Sequence, residues 1–548
     1  MTDTPRLPLA TYHARTRHRF EAFAEGPGQL DWDAQPAPFR HYPGAPTLAL
    51  PLAADRFDRP YGQLASAPKN PVAPSLESIG ALFEVSLAIS AWKSWGPSRW
   101  ALRCNPSSGN LHPVEGWLLG HGLAEIPNGL HHYDPEQHQL ENRALLPPND
   151  DPPWLALALS SAMWREAWKY GERAFRYCQL DVGHAVSCLN HAAAMLGWQL
   201  RPATLPGSTL NHVLGLDREQ DFPPSRYAYT ETEEGEVLLF VDAPGLTLPA
   251  DIPATLNALR HAQWFGHPTA IDPAPGYRWP LVNQAALASR PPEGAETQPV
   301  SRSTVGFPTF PALPPHPTTR GAAQLFRQRR SGQRFDPKHC LPRADFFRML
   351  DACLPRSGPA FGAQEDAPAL HLLLFVLRVD SLAPGLYLLP RTDTLAAGLQ
   401  QALTRRFPEH HRVADAPAHL GLTCLLELSL QETQRLARSL SCHQDIAATS
   451  AFSLGMIGEC TPDTVNGYAY RKLLREAGLI GQVFYLEAEA AGIRGTGIGC
   501  FFDEPVHQAF GLTDTGWQSV YHFTVGLPVT DARIETSPPY PQREQAAP

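Results

Sequence analysis

The chain has 548 residues, too many for one ordinary hydrophobic core, and its 43% hydrophobic content is enough to fill two. Its 45 basic and 54 acidic residues give a net charge of -9 with no long run of either sign. That excludes an extended nucleic-acid or anionic-membrane surface and leaves room for a local anion site. The nine cysteines are scattered, odd in number and form no Cys-x-x-Cys pair, so neither a disulfide framework nor a zinc knuckle is indicated, and a cytoplasmic chain is expected.

In chain order, residues 1–6 lack an apolar run, so no secretory signal is expected. The longest apolar stretches, 154–164 and 370–379, fall short of the ~20 residues that span a bilayer, which points to a soluble protein. Proline, at 56 residues, is about twice its usual share and gathers in the first 75 residues and between 243 and 317. Residues 1–70 therefore read as a wrapping extension, with a short basic helix near 12–24, and residues 246–315 as a linker. From Ser75, apolar residues at Leu76, Ile79, Leu82, Phe83, Leu87 and Ile89 predict a helix capped by Ser75 and Ser78.

Next comes a proline-bounded run of hydroxyl, glycine and amide residues, Arg103, Cys104, Asn105, Pro106, Ser107, Ser108, Gly109 and Asn110. Such a run makes a rigid turn whose donors converge on something that Gly109 lets approach closely. A buried strand at 117–119 and a hairpin over 129–140 follow. Residues 174–198 predict a central buried helix and residues 233–242 a closing strand. Beyond the linker, a helix from Ala344, a buried strand over 369–379 and a hairpin near Gly385 repeat the order.

The repeat is visible residue by residue. Residues 174–198 align without a gap on 469–493 at a constant offset of 295, matching Arg176 to Arg471, Asp181 to Glu476, Gly183 to Gly478 and Gly197 to Gly492. Residues 210–216 lie on 506–512 at an offset of 296, and Gly129-Leu130 on Gly385-Leu386. The expectation is an α+β protein of two fused, diverged copies packed as an intrachain pseudo-dimer, each a mostly antiparallel sheet flanked by helices. The copies span 71–245 and 316–535, and residues 536–548 form a tail.

A second chemistry-bearing stretch is Arg327, Arg329, Arg330, Ser331, Gln333 and Arg334, four arginines and a hydroxyl suited to a phosphate. Arg-Arg-Ser-x-x-x-Phe at 329–335 resembles the amino-terminal flavin signature of the nitroreductase family. Pro106-Ser107-Ser108-Gly109-Asn110 resembles that family's second flavin segment. The resemblance implies FMN at the boundary of two subunits, with one segment drawn from each. In this chain they belong to different halves, implying one composite FMN site. The second-half counterpart of 106–110, sought at 354–359, is degraded, and Arg15 to Phe20 is a remnant of the arginine segment. The resemblance also assigns Gly497, Ile498 and Gly499 to the reactive flavin nitrogen, and Arg533 to the FMN phosphate. A Rossmann reading of these glycines is poor because their spacing departs from G-x-G-x-x-G.

Lys169 and Tyr170, ahead of the central helix, are similar to the SagB-type azoline dehydrogenase branch, where such a pair assists proton removal. Oxidising an azoline to an azole removes one ring hydrogen as a proton and one as hydride. A lysine base must then have its pKa lowered by burial or neighbouring cations, with Arg165 and Arg173 as candidates and Glu166 and Glu172 in opposition. The expected partners are a peptide- or carrier-bound substrate and biosynthetic partner proteins of natural-product assembly, with no nucleic acid or membrane; a further homodimer is left open. Alternatives are an NAD(P)H-dependent nitro, quinone or ene reductase, and a flavin-free scaffold in a peptide-modifying complex. No metal site is expected, since His131, His132 and His138 have no carboxylate or cysteine at ligand spacing. Cys442 reads as buried, and His184 and His191 as interface or core residues.

Overall fold

The computed structural model describes residues 8–541 apart from positions 149, 296, 298–305, 315 and 514. Residues 1–6, weighed above for a signal, and the tail beyond 541 lie outside the described residues. The helix Leu76–Ser86 begins as its sequence predicts: the Ser75 hydroxyl accepts from the Ser78 N–H, and the Ser78 hydroxyl from the Ser75 N–H.

Two antiparallel sheets carry the fold. The first runs Thr47–Ala49, Gln139–Leu145, Gly129–Asp134, Val114–His121, Trp154–Ser161, Glu234–Asp242, Gln199–Ala203, with Gln263–Trp264 added beside Gln139–Leu145. The second runs His411–Arg412, Thr423–Glu427, Gly385–Leu389, His371–Val376, Phe452–Glu459, Trp517–Gly526, Arg494–Ile498. From the second strand onward the two orders correspond position by position. The aligned glycines explain why. Gly129 and Gly385 both have left-handed φ, 139° and 155°, and a Cβ on either would strike a carbonyl oxygen of the neighbouring strand. Gly215 and Gly511 both end a short helix in the left-handed conformation.

Each half contributes one long buried helix, Ala174–Leu196 and Tyr468–Ala490, and the two pack against each other. At their crossing Gly183 meets Gly478. A Cβ on Gly183 would lie 2.2 Å from the Arg475 carbonyl oxygen, and one on Gly478 2.2 Å from that of Leu180. The aligned arginines reach across in opposite directions. Arg176, with Arg173, pairs with Asp503 of the second half, while Arg471 pairs with Glu234 and Glu236 of the first. All of these groups are buried, so each charge depends on its partner.

The chain ends cross over as well. His13, in the amino-terminal arm, bonds to Tyr470 (2.8 Å) and Gln518 (2.7 Å) of the second half. Strand Glu535–Ser537 joins the first-half hairpin Ile89–Trp95 and Ser98–Arg103 in a separate three-stranded sheet. The proline-rich segment after 245 is more ordered than its composition suggests. Pro280 opens the helix Pro280–Ala288, whose Leu281, Val282, Ala285 and Ala286 enter the main core. No helix among the described residues is long and apolar enough to cross a membrane.

Because backbone meets backbone at the crossing, Gly478→Ala should lower stability by about 1–3 kcal/mol. Gly398→Ala, on an open face of the helix Ala397–Arg406, should be neutral or mildly stabilising. Thermal unfolding of the two variants checks this.

Candidate functional site

A cavity of about 490 Å³ lies where the halves meet. Its first wall is the turn 103–110. Gly109 and Asn110 there are left-handed, φ 60° and 61°, and a Cβ on Gly109 would lie 2.5 Å from the Tyr170 hydroxyl and 3.0 Å from Lys169 Nζ. The turn is fastened to the first central helix, where Asp181 accepts from the Ser108 N–H (3.0 Å) and hydroxyl (2.8 Å). Burial pushes the Asp181 carboxyl up to about 7, against the lowering effect of these donors.

The second wall comes from residues 329–333 and the strand Arg494–Ile498, which are tied together. Gly332 N–H donates to the Gly495 carbonyl (3.0 Å), the Thr496 hydroxyl to that of Gly332 (2.6 Å), and Ser331 shares a 2.9 Å bond with the Tyr485 hydroxyl. Gly497 in this strand and Gly499 just beyond it make room for aromatic side chains. A Cβ on Gly497 would strike the Tyr521 hydroxyl and one on Gly499 the Tyr177 ring. Tyr485, Tyr521 and Tyr177 all line the cavity.

The two walls are joined directly. Arg329 donates to the carbonyls of Arg103 (3.0 Å) and Cys104 (3.2 Å), more than two hundred residues away. Its fork is thereby engaged by the partner half's backbone. Arg330 donates to the carbonyls of Arg327, Arg329 and Ser90 but has no carboxylate within ion-pair distance among the described residues. Burial, then Arg329, lowers it to about 10. Lys93 and Arg494 face the same cavity, and burial followed by Arg330 and Arg494 lowers Lys93. Glu489 stands close enough to be lowered by Arg494, Arg329 and Arg330, though burial raises it overall. The Arg103 Nη2 and Asn105 Oδ1 atoms, on residues lining the cavity, are buried and have no protein partner. Cations without a carboxylate partner and orphaned polar atoms around one tyrosine-lined space suit an anionic ligand.

The sequence-predicted residues 103, 106–110, 329–331, 333 and 497–499 all line this cavity, as does Tyr170. Arg533 does not: it is exposed and paired with Asp531. Lys169 stands at the edge, beside Gly109 and 5.3 Å from the Trp32 ring centroid. Its pKa is lowered by burial, not by the cations the sequence suggested, because Arg165 is committed to Glu115 and Arg173 to Asp503. Glu166 opposes the lowering, as expected, and is itself buried with both oxygens unpartnered; burial raises it well above the ordinary carboxylate value. Lys93, Arg494, Tyr485 and Tyr521 escaped the sequence reading. Arg494 directly precedes the glycine stretch and was within reach, whereas Lys93 lies on a strand with no distinguishing signal.

Two further expectations are corrected. A second cavity, of about 460 Å³, is lined by Lys472, Glu476 and Leu479, the offset partners of Tyr177, Asp181 and His184. Its loop wall is 363–369, not 354–359, because that is the stretch leading into His371–Val376 as 103–113 leads into Val114–His121. There Glu476 accepts from the Ala369 N–H (2.9 Å). The remnant Arg15–Phe20 region does not line it; Arg15 pairs with Glu172 and Arg17 with Glu504. His132, though lacking carboxylates at sequence spacing, is held in space between Glu115 (3.2 Å) and Glu141 (2.8 Å) and raised to about 9.

No family model and no curated protein matches the chain. Among solved structures, a candidate nitroreductase from Anabaena variabilis superposes with a TM-score of 0.65 at 17% identity, over 95% of this chain and 100% of its own. The fold is nitroreductase-like. That match runs through both halves, so the tandem arrangement belongs to the nitroreductase-like fold found here. Part of the chain also aligns with the E. coli microcin synthetase McbBCD complex with truncated pro-MccB17 bound, at TM-score 0.25 and 18% identity over 41% of this chain and 76% of that one. A third alignment is to a candidate nitroreductase in complex with FMN from Exiguobacterium sibiricum, at TM-score 0.23 and 14% identity over 38% and 88%.

The raised Asp181 carboxyl carries a pH signature. The folded state holds this proton more tightly than the unfolded chain, whose value is near 3.8. Its contribution to stability is therefore full below about pH 4 and lost as pH rises through about 7. Asp181→Asn should flatten that part of the profile of thermal midpoint against pH.

Proposed function

We propose that the chain is an FMN-dependent oxidoreductase with one composite flavin site, the cavity between the halves. The observation that carries this reading is the junction itself. Arg329 clamps the proline-serine turn of one half to the arginine-serine segment of the other, around a cavity ringed by Lys93, Arg330 and Arg494. Those three cations, with the Ser331 hydroxyl, are suited to the phosphate. Arg103 Nη2 and Asn105 Oδ1 offer one further donor and one acceptor, and the tyrosines an apolar floor. Arg533, tied to Asp531, is left out of the phosphate set.

FMN, when bound, supplies a two-electron acceptor for hydride. The favoured reaction is dehydrogenation of a peptide- or carrier-bound heterocycle, azoline to azole, or of a related amine. Lys169 is the candidate base. Burial lowers the Lys169 pKa against the opposing pull of Glu166, which enlarges the neutral fraction of the amine. Nζ of Lys169 would take the substrate proton, with the Tyr170 hydroxyl, against Gly109, as its neighbour at the rim. The amine also lies 5.3 Å from the centroid of the exposed Trp32 ring.

The purified protein should be yellow and hold roughly one FMN per chain. Arg330→Ala and Asn110→Ala, in different halves, should each weaken FMN retention about tenfold or more by equilibrium dialysis. Loss from only one would contradict a shared site. Lys169→Met should keep FMN but slow substrate oxidation by about 10²–10⁴-fold. Anaerobic flavin bleaching by azoline peptides supports the dehydrogenase; rapid bleaching by NAD(P)H with none by azolines would transfer the assignment to a reductase.

A further inference from the structure

Beside the cavity, at the carboxyl end of the strand Arg494–Ile498, Cys500 meets Cys442 from the turn after the helix Leu430–Leu440. The two sulfurs are 2.6 Å apart, and both residues are partly exposed. Cys442, which the sequence suggested was buried, is instead presented by an unusual turn. Cys442 and His443 both adopt left-handed backbone, φ 50° and 59°, without glycine. Two consecutive residues in that region are strained and persist only where the surroundings fix them.

The surroundings do fix them. On one side the Phe502 N–H donates to the Leu440 carbonyl (2.9 Å). On the other, the Gln444 amide donates to the carbonyls of Ser441 and Cys500, each at 3.0 Å. The pair is thus bracketed by hydrogen bonds between its two segments, and Gln444 and Cys500 themselves line the cavity. The His443 ring packs edge-on against Phe502 and stacks on Phe20. Nothing in a flavin site as such requires this arrangement of two thiols.

We propose that Cys442 and Cys500 form a reversible redox pair, a dithiol that closes to a disulfide at the rim of the cavity by exchange with small-molecule disulfides such as glutathione disulfide. It does not rest on a bound flavin. Cys500 is the attacking sulfur. The Cys442 thiol, His18 and Arg173 favour its thiolate, Arg173 donates to the adjacent Gly499 carbonyl (3.2 Å), and Cys500, unlike Cys442, lines the cavity. His18 Nδ1 accepts from the Ala24 N–H (2.9 Å), which leaves its other nitrogen to carry the proton. The Cys500 thiolate attacks one sulfur of the small disulfide, whose S–S bond breaks, and one thiolate leaves. Cys442 then loses its proton to solvent and attacks the Cys500 sulfur, releasing the second thiolate. In sum one dithiol and one small disulfide give one protein disulfide and two small thiols, and a dithiol reductant reverses it. Closure would lock the turn bearing Gln444 to the cavity wall.

The test uses the full-length protein, first reduced, then equilibrated in glutathione buffers of graded potential, quenched with iodoacetamide and read by intact and peptide mass spectrometry. The expected result is a loss of about 2 Da and a linked Cys442–Cys500 peptide, both abolished by dithiothreitol. Cys442→Ser should accumulate a glutathione adduct on Cys500, and Cys500→Ser should leave Cys442 unmodified. Far-ultraviolet circular dichroism confirms that each variant is folded; for one that is not, the wild-type peptide map alone decides. Both thiols alkylated across all buffers, a link to another cysteine, or an adduct forming as readily on Cys442 would overturn the proposal.

Discussion

The structure depends on one contact, the crossing of two buried helices at Gly183 and Gly478. Only the absence of side chains lets the backbones meet there, and that approach brings everything else into range. It sets Arg176 against Asp503 and Arg471 against Glu234 and Glu236, so that buried charges of each half are neutralised by the other. It also sets the turn after Arg103 against the segment at Arg329. The halves consequently share not only apolar surface but obligatory electrostatic partners, and neither would keep its buried charges paired alone.

The cavity at the boundary is built with the same economy. Arg329 spends its fork on backbone carbonyls of the other half and so acts as a fastener, leaving Arg330, Lys93 and Arg494 as the unneutralised charges. Mutual repulsion and burial make that cluster unfavourable without an anion. On the flavin reading proposed above, stability is given up locally so that the site is ready before its ligand arrives.

Much of this was legible in the sequence, for a physical reason. Gly129, Gly183 and Gly215 recur at their offset partners because each answers a backbone constraint that no other residue meets, and such constraints survive divergence that erases packing residues. The same logic made the Pro-Ser-Ser-Gly turn stand out. What stayed hidden was set by tertiary placement. Lys93 reaches the site from a strand of ordinary composition, Arg533 is drawn off by Asp531, and Lys169 is tuned by burial that no local pattern reveals. The counterpart of the turn was misplaced because residues 354–359 share its prolines and serine, whereas position ahead of the strand, not composition, defines equivalence. The helix Pro280–Ala288 shows the converse error, proline at a helix start being mistaken for proline against structure.

The second cavity, with Lys472, Glu476 and Leu479 where the first has Tyr177, Asp181 and His184, bears on how such a protein changes over time. In a symmetric pair of identical subunits, every substitution is written twice, so one pocket cannot be altered without altering its twin. Joining the copies in one chain breaks that bond of symmetry. The two pockets are then free to differ in lining, as they do here, while the central helices that frame both keep each of them open.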